Sequence, residues 1–416
     1  MSKLYTTSCK PKQYYHSIQA RPGFLNWLLA IYLFLVMLLE GTPLFKINSY
    51  MAYVLGIFFI VTFRLKRVKR IPEFKLFAFF VMFIWISALL SGTPSSTIQM
   101  SVYLTKIYLM AIVALVVVSS LRGLKICLLF ALAGSFLLII TVWTGGIDAV
   151  IASNSRVTGI TSNANTFGGM LSAGVFIGLL LLPIVSKKLK LVIIVYIAMA
   201  TIGIMASGSR ASALAAFLAL VFFYWFEFLV RIRSNLKKFL PIIFILILIP
   251  YILYLIFPAS LLVQRFAEGP EEKSMQNRVE LAEFGFKHFL DRPFFGHGAG
   301  VFMLYRDYFG HAHSSFIDLL FSMGLAGFFL FYGIFVFLLI RINFLVQMYK
   351  NNENYRRFFN AARAVLFAML IYSLIATSYD DKIYTAILAI LAGFTSQFVI
   401  DIKKKNQEPV GSTPKT

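Results

Sequence analysis

Apolar runs of about twenty residues recur from one end of this chain to the other, and each is long enough to cross a ~30 Å hydrocarbon core. Inside lipid every backbone N–H and C=O must find its partner within the protein, so runs of this length are helices. A transmembrane β-barrel would alternate apolar and polar residues along each strand, and the runs show no such alternation. Only 13% of the residues are charged, against roughly 25% in a soluble domain. The sequence therefore predicts an all-α polytopic membrane protein.

Spans are expected near 24–40, 47–63, 76–91, 102–120, 124–144, 166–186, 191–206, 210–230, 239–257, 314–340, 360–378 and 382–400. About twelve spans put both termini on one side. The formal charge of +22 tests this count, because Lys and Arg concentrate in cytoplasmic connections. With a cytoplasmic N-terminus, the basic clusters fall in alternate segments. These are the N-terminal segment, Arg64–Lys75, Arg122 with Lys125, Lys187–Lys190, Arg231–Lys238, Arg341–Arg357 and the tail from Lys403. The short outer connections carry almost no basic residues. The charge thus reads as topology, and no nucleic-acid partner is expected. The N-terminus is basic and shows no apolar stretch with a small-residue cleavage site. Cys9 and Cys127 have neither disulfide nor metal spacing.

This reading divides the chain into an N-terminal segment 1–23, spans one to nine in 24–257, a large outer loop 258–313, spans ten to twelve in 314–400 and a tail 401–416. The outer loop is too long and too patterned to be a linker. Asn277-Arg278-Val279-Glu280 reads as an N-cap with Glu at the third helical position. Leu281, Phe284, Phe286 and Phe289 then form a mostly apolar face. A short helix over about 278–290, lying at the membrane surface, is expected. Arg292-Pro293 would end it, and Gly296, Gly298 and Gly300 would form a turn-rich link.

Basic residues on the outer side run against the charge rule, which makes them informative: Lys46, Arg156, Arg210, Arg265, Lys273, Arg278, Lys287, Arg292, Arg306 and Lys382. Arg210 stands in Ala206-Ser207-Gly208-Ser209-Arg210-Ala211-Ser212, between one span and the next. Small residues let a ligand approach the backbone. A helix N-terminus favours anions, and guanidinium supplies a planar fork for phosphate. The alternative is an arginine snorkelling to the interface. Arg278, in the first turn of the loop helix, would oppose the helix dipole unless an anion joined it; pairing with Glu280 or Glu283 is its alternative.

His313, in His311-Ala312-His313-Ser314-Ser315, opens the tenth span. A helix N-terminus favours the neutral, proton-accepting imidazole, so a general base is one reading. A hydrogen-bonded interface histidine is the other. A His-x-His metal pair lacks a Cys or carboxylate at ligand spacing. Asp380 and Asp381 can bind a cation or orient sugar hydroxyls, or they pair with Lys382 and neighbouring arginines. Asp318 and Lys106 lie within spans, where ionisable residues are functional candidates; Asp318 is near enough to the surface to form a structural ion pair. No phosphate-binding loop, dinucleotide fingerprint or Gly-x-Ser-x-Gly elbow is present.

Taken together, these segments resemble the O-antigen ligase and polymerase superfamily, best over about 154–345. His313-Ser314, nine residues and Gly324-Leu325-Ala326-Gly327 match its pattern of His, a small polar residue, nine residues and Gly-x-x-Gly. Ser207-Gly208-Ser209-Arg210-Ala211 resembles its small-residue-plus-arginine segment. Arg278-Val279-Glu280 followed by Pro293-Phe294-Phe295-Gly296-His297-Gly298 is similar to its long-loop signature. Arg156 with Gly159 and Asn163–Asn165 resembles a further upstream motif.

The resemblance implies a GT-C-like inverting glycosyltransferase in the bacterial inner membrane, with cytoplasmic termini and a periplasmic site. The donor would be a glycan on undecaprenyl diphosphate. Arg210 and Arg278 would bind its diphosphate with Arg156 and Arg265, and His313 would assist the acceptor hydroxyl. Ser314, His311, Asp380 and Asp381 are candidates for acceptor binding or orientation. No cofactor and no metal are expected, since guanidinium groups can stabilise the leaving diphosphate. The first reading is ligation of O-antigen onto lipid A–core oligosaccharide in lipopolysaccharide synthesis. The second is polymerisation, with another lipid-linked glycan as acceptor. A flippase or secondary transporter is a third reading; transporters of this size usually show two similar halves, and none is seen.

Overall fold

The computed structural model describes residues 23–62, 71–92, 94–143, 156–229, 273–303 and 313–405. These contain twelve α-helices: α1 (Phe24–Leu39), α2 (Lys46–Thr62), α3 (Pro72–Leu89), α4 (Pro94–Val117), α5 (Leu121–Trp143), α6 (Ala164–Leu181), α7 (Lys187–Ser207), α8 (Arg210–Tyr224), α9 (Lys273–Phe289), α10 (Ser315–Met348), α11 (Glu353–Ile375) and α12 (Lys382–Lys405). A π-helical turn, Trp225–Leu229, extends α8. No strand occurs among the described residues. Nine helices, α3–α8 and α10–α12, are long and apolar enough to cross a membrane, and α1 and α2 are apolar but shorter. Eleven expected spans are therefore helices. The remaining one, at 239–257, lies outside the described residues.

α6 is the central helix, and all but two of its residues are buried. Its small residues admit its neighbours, the usual device where lipid supplies no hydrophobic drive between helices. Gly168 lies against Ser207 and Ser209, and Gly178 against Ile197. α5, α7, α8 and α11 pack around it. At the opposite extreme, α2 buries only Asn48 and Leu55, and Tyr50, Ile57, Ile60 and Val61 face outward.

Three ion pairs, centred on two buried glutamates, join helices away from the α7–α8 turn. Arg341 on α10 meets the fully buried Glu73 of α3 at 2.7 Å. Glu227, also buried, receives Arg356 at 3.3 Å, Arg357 at 3.1 Å and the Asn360 amide at 3.0 Å. Three residues that the charge pattern assigns purely to topology thus also hold α3, α8, α10 and α11 together. Sequence could not reveal it, because the partners lie more than a hundred positions away.

α10 is two helices joined at Gly324, whose φ of 63° and ψ of −167° are non-helical. Irregular backbone at membrane depth is tolerated where protein buries it, and Gly324 is buried. The segment 293–298 satisfies the opened backbone. His297 N–H donates to Phe321 O (2.9 Å), Gly298 N–H to Ser322 O (2.8 Å), and Leu325 N–H to Pro293 O (2.8 Å).

The loop helix α9 differs from the expected one. It already runs from Lys273, the first described residue of this stretch, and so extends ahead of 278, as no Gly or Pro interrupts the chain between Lys273 and Gly285. Asn277 is therefore not its N-cap, and Arg278 lies beyond the first turn. The buried positions are Leu281, Gly285 and Phe289, at i, i+4 and i+8, whereas Phe286 points outward, 52% exposed. This face packs on α10 beside Ile317, Phe302 and Phe321.

Candidate functional site

The site surrounds the last turn of α11, from Tyr372 to the C-cap Ala376. α11 stops there because Ala376 is extended (φ −148°, ψ 155°). Its carbonyl accepts the backbone N–H of Ser315 (3.2 Å) and the Ser315 hydroxyl (3.2 Å). The same hydroxyl oxygen accepts Ser378 N–H at 2.6 Å and Tyr379 N–H at 3.3 Å. One buried serine thus pins the start of α10 to the α11–α12 connection. The sequence reading did not single it out as a site residue, and its partners lie more than sixty residues away.

His313 immediately precedes that pin. Its φ is 50°, the only positive value at a non-glycine among the described residues. Ser314, 8% exposed, is the N-cap of α10, its hydroxyl accepting Ile317 N–H at 3.4 Å. Arg278 of α9 donates from a guanidinium nitrogen to Ile375 O at 3.5 Å. Arg278 and the 313–315 segment therefore reach adjacent carbonyls of one helix end.

Arg210 arrives from the other side. α7 ends at Gly208, whose left-handed φ of 61° turns the chain directly into α8. Arg210 is the first residue of α8 and is half-buried. Two residues on, Ser212 lies at the Tyr372 hydroxyl. Tyr372 stacks on Tyr384 at 4.8 Å, and the Tyr384 hydroxyl bonds Ser172 at 2.7 Å. Arg210, Arg278 and His313 thus sit on three elements that meet the last turns of α11.

Arg156 belongs to this region in a different way. Its Nε donates to Ser207 O at 2.9 Å, and a terminal nitrogen donates to Asn165 Oδ1. It ties the 156–163 segment to the starts of α6 and of the α7–α8 turn. Arg265 and His311 lie outside the described residues.

The acidic pair divides in role. Asp381 caps α12, accepting Ile383 N–H at 2.8 Å and Tyr384 N–H at 3.1 Å. The Asp380 carbonyl accepts the Tyr103 hydroxyl at 3.3 Å. Burial, then Asp318, pushes the Asp380 carboxyl up to about 7. Burial first, with Glu40 and Asp380, raises Asp381 to about 7 against its two backbone donors. Lys382 does not pair with them as expected; its ammonium meets both oxygens of Glu40 at 2.8 Å. Helix geometry explains this, since Lys382 is the first residue of α12 and points away from the cap towards the end of α1. Asp318 accepts the Ser322 hydroxyl at 2.8 Å, one turn further along α10. Among the described residues, no group of three His, Cys, Asp or Glu is placed to hold a metal ion.

A hydroxyl-lined turn bearing an arginine, a second arginine from a loop helix and a histidine at a helix start make a surface suited to an anion beside a hydroxyl nucleophile. No curated protein matches the chain at a significant level. Residues 194–332 match the family model described as O-Antigen ligase. That stretch runs from within α7 into α10 and contains Arg210, Arg278, His313 and the Gly324 kink. The match supports the kinship of this segment with the O-antigen ligase and polymerase superfamily, whose members are glycosyltransferase-like enzymes.

Proposed function

We propose that the protein is an O-antigen ligase, moving a glycan from undecaprenyl diphosphate to lipid A–core oligosaccharide at the periplasmic face of the inner membrane. The observation that supports this reading is that the elements bearing Arg210, Arg278 and His313 all pack against the last turns of α11. The acceptor hydroxyl attacks the anomeric carbon as the bond from that carbon to the diphosphate oxygen breaks, with inversion. Arg210 and Arg278 stabilise the charge that develops on the leaving diphosphate. His313 takes the hydroxyl proton or orients the hydroxyl for attack. The energy resides in the donor's glycosyl diphosphate bond, so no nucleotide is consumed.

The test uses purified protein, lipid-linked glycan and lipid A–core. Transfer that requires core supports the ligase. Chain lengthening without core makes the protein a polymerase, the second reading, which the superfamily shares. Movement of the lipid-linked glycan across the membrane without any transfer would overturn both. Arg210→Ala and Arg278→Ala are each expected to lower transfer by at least about a hundredfold, as removal of one transition-state charge donor does, with membrane insertion intact. Normal transfer by both variants would remove the arginines from the mechanism.

A further inference from the structure

None of the residues lining one large cleft belongs to the arginine site. α1, α2, α4 and the first residue of α12 leave a space of about 520 Å³ between them. Its chemistry changes along α2. Asn48 stands in the first turn of α2, beside Glu40 and Lys382. Next along α2 comes Tyr53, whose ring faces the Lys106 ammonium at 5.7 Å. Ile57 and Ile60 follow, 62% and 75% exposed. From Asn48 to Ile60 is about 18 Å at 1.5 Å per residue.

Two of these groups are unfinished. Glu40 accepts Lys382 at 2.8 Å and the Asn48 amide nitrogen at 3.0 Å. A carboxylate only accepts, so the Asn48 nitrogen must face Glu40 and its Oδ1 must turn elsewhere. Asn48 is 1% exposed, and that Oδ1 has no hydrogen-bond partner among the described residues. It requires a donor. Lys106 is exposed on a membrane-spanning helix, and no carboxylate among the described residues pairs with it. An ionisable group in that position marks a binding site by default.

We propose that the cleft holds one bilayer glycerophospholipid whose headgroup carries a phosphate and a free hydroxyl. The order along α2 matches such a molecule read from the headgroup inward. The hydroxyl donates to Asn48 Oδ1, the phosphate meets Lys106, and an acyl chain lies along Ile57, Ile60 and Leu109. Lys382 is already neutralised by Glu40, so the cleft offers one unmatched positive charge. That suits a phosphodiester better than a diphosphate. The proposal stands whether or not the chain is a ligase.

The test is native mass spectrometry of the full-length protein in detergent. The probes are phosphatidylglycerol, phosphatidylcholine and glycerol 3-phosphate. One phosphatidylglycerol is expected to be retained about tenfold more tightly than phosphatidylcholine, the scale of one good polar contact. Glycerol 3-phosphate should not be retained. Lys106→Met is expected to lose that preference at unchanged melting temperature, since Lys106 is exposed and forms no ion pair among the described residues, and Lys106→Arg to restore it. Equal retention of the two lipids, or unaltered phosphatidylglycerol binding by Lys106→Met, would overturn the proposal. Retention of glycerol 3-phosphate would reduce the cleft to a phosphate site. Displacement of the phospholipid by a lipid-linked glycan would reassign the cleft to that glycan.

Discussion

His313 and Asp380 show how differently neighbouring residues can be constrained. His313 is held at φ 50°, a conformation that costs a side chain with a Cβ about 1 kcal/mol and costs glycine almost nothing. Backbone and imidazole can therefore be separated. His313→Ala and His313→Gly should both lose transfer, because both remove the ring, while His313→Gly should melt higher than His313→Ala. Activity in the glycine variant would show that the position supplies only backbone shape. Asp380 is constrained by charge. Its carboxyl rises to about 7 in the folded protein, through burial and Asp318, against about 3.9 in an unfolded chain. The folded state then binds the proton more tightly. The associated stability is complete below the unfolded value and is lost as pH rises through about 7. Melting temperature should fall between about pH 4 and about pH 7, with Asp381 contributing alongside, and Asp380→Asn should lessen that fall. A variant with the wild-type pH profile would place the titration elsewhere. Arg156 spends donors on the Ser207 carbonyl, fifty-one positions away, and on Asn165. Such long-range pairings leave no local pattern, so sequence can name the arginines without ranking them.

At the scale of elements, the Gly324 kink and the 293–298 segment act as one unit. A Cβ at Gly324 would stand 2.5 Å from the Phe294 carbonyl carbon, at a φ that side chains rarely adopt. Gly296 meets the Ser322 backbone just as closely from the other side. Gly324→Ala should therefore destabilise the protein by about 2–3 kcal/mol, from backbone strain and overpacking together. It should also lower transfer, because His313 and Ser314 lead directly into the first half of α10. A thermal melt in detergent measures the first effect, and an unchanged midpoint would mean that the two segments are not coupled. The spacing from His313 to Gly324 was readable in the sequence as a motif. Its physical content was not, since the kink exists only through backbone partners that the motif does not contain. Helix positions were readable because twenty-residue apolar runs leave few alternatives. α9 was harder. Asn277 and Glu280 imitate a capping box, but the helix already runs from Lys273, so the apparent cap lies inside it.

Across the whole molecule, charge and chemistry separate to opposite ends. α6, α8, α10 and α12 begin, and α7 and α11 finish, at the end that holds Arg210, Arg278 and His313. Lys187–Lys190, Lys350 and the buried Glu227 cluster lie at the other end. This polarity was legible from the alternation of basic segments, whereas the buried partners of Arg341, Arg356 and Arg357 were not. If Lys and Arg mark the cytoplasmic side, the arginine site faces the periplasm, and the donor diphosphate would have to be presented there. Substituted cysteines test this directly. Cys127 is fully buried, so a Cys9→Ser background leaves little to label. Phe286→Cys on the exposed face of α9 should react with a membrane-impermeant maleimide in intact spheroplasts. Lys350→Cys, exposed between α10 and α11, should react only after the membrane is permeabilised. The reverse pattern would put the arginines in the cytoplasm. A periplasmic transferase would then be untenable, because acceptor and site would lie on opposite sides of the bilayer.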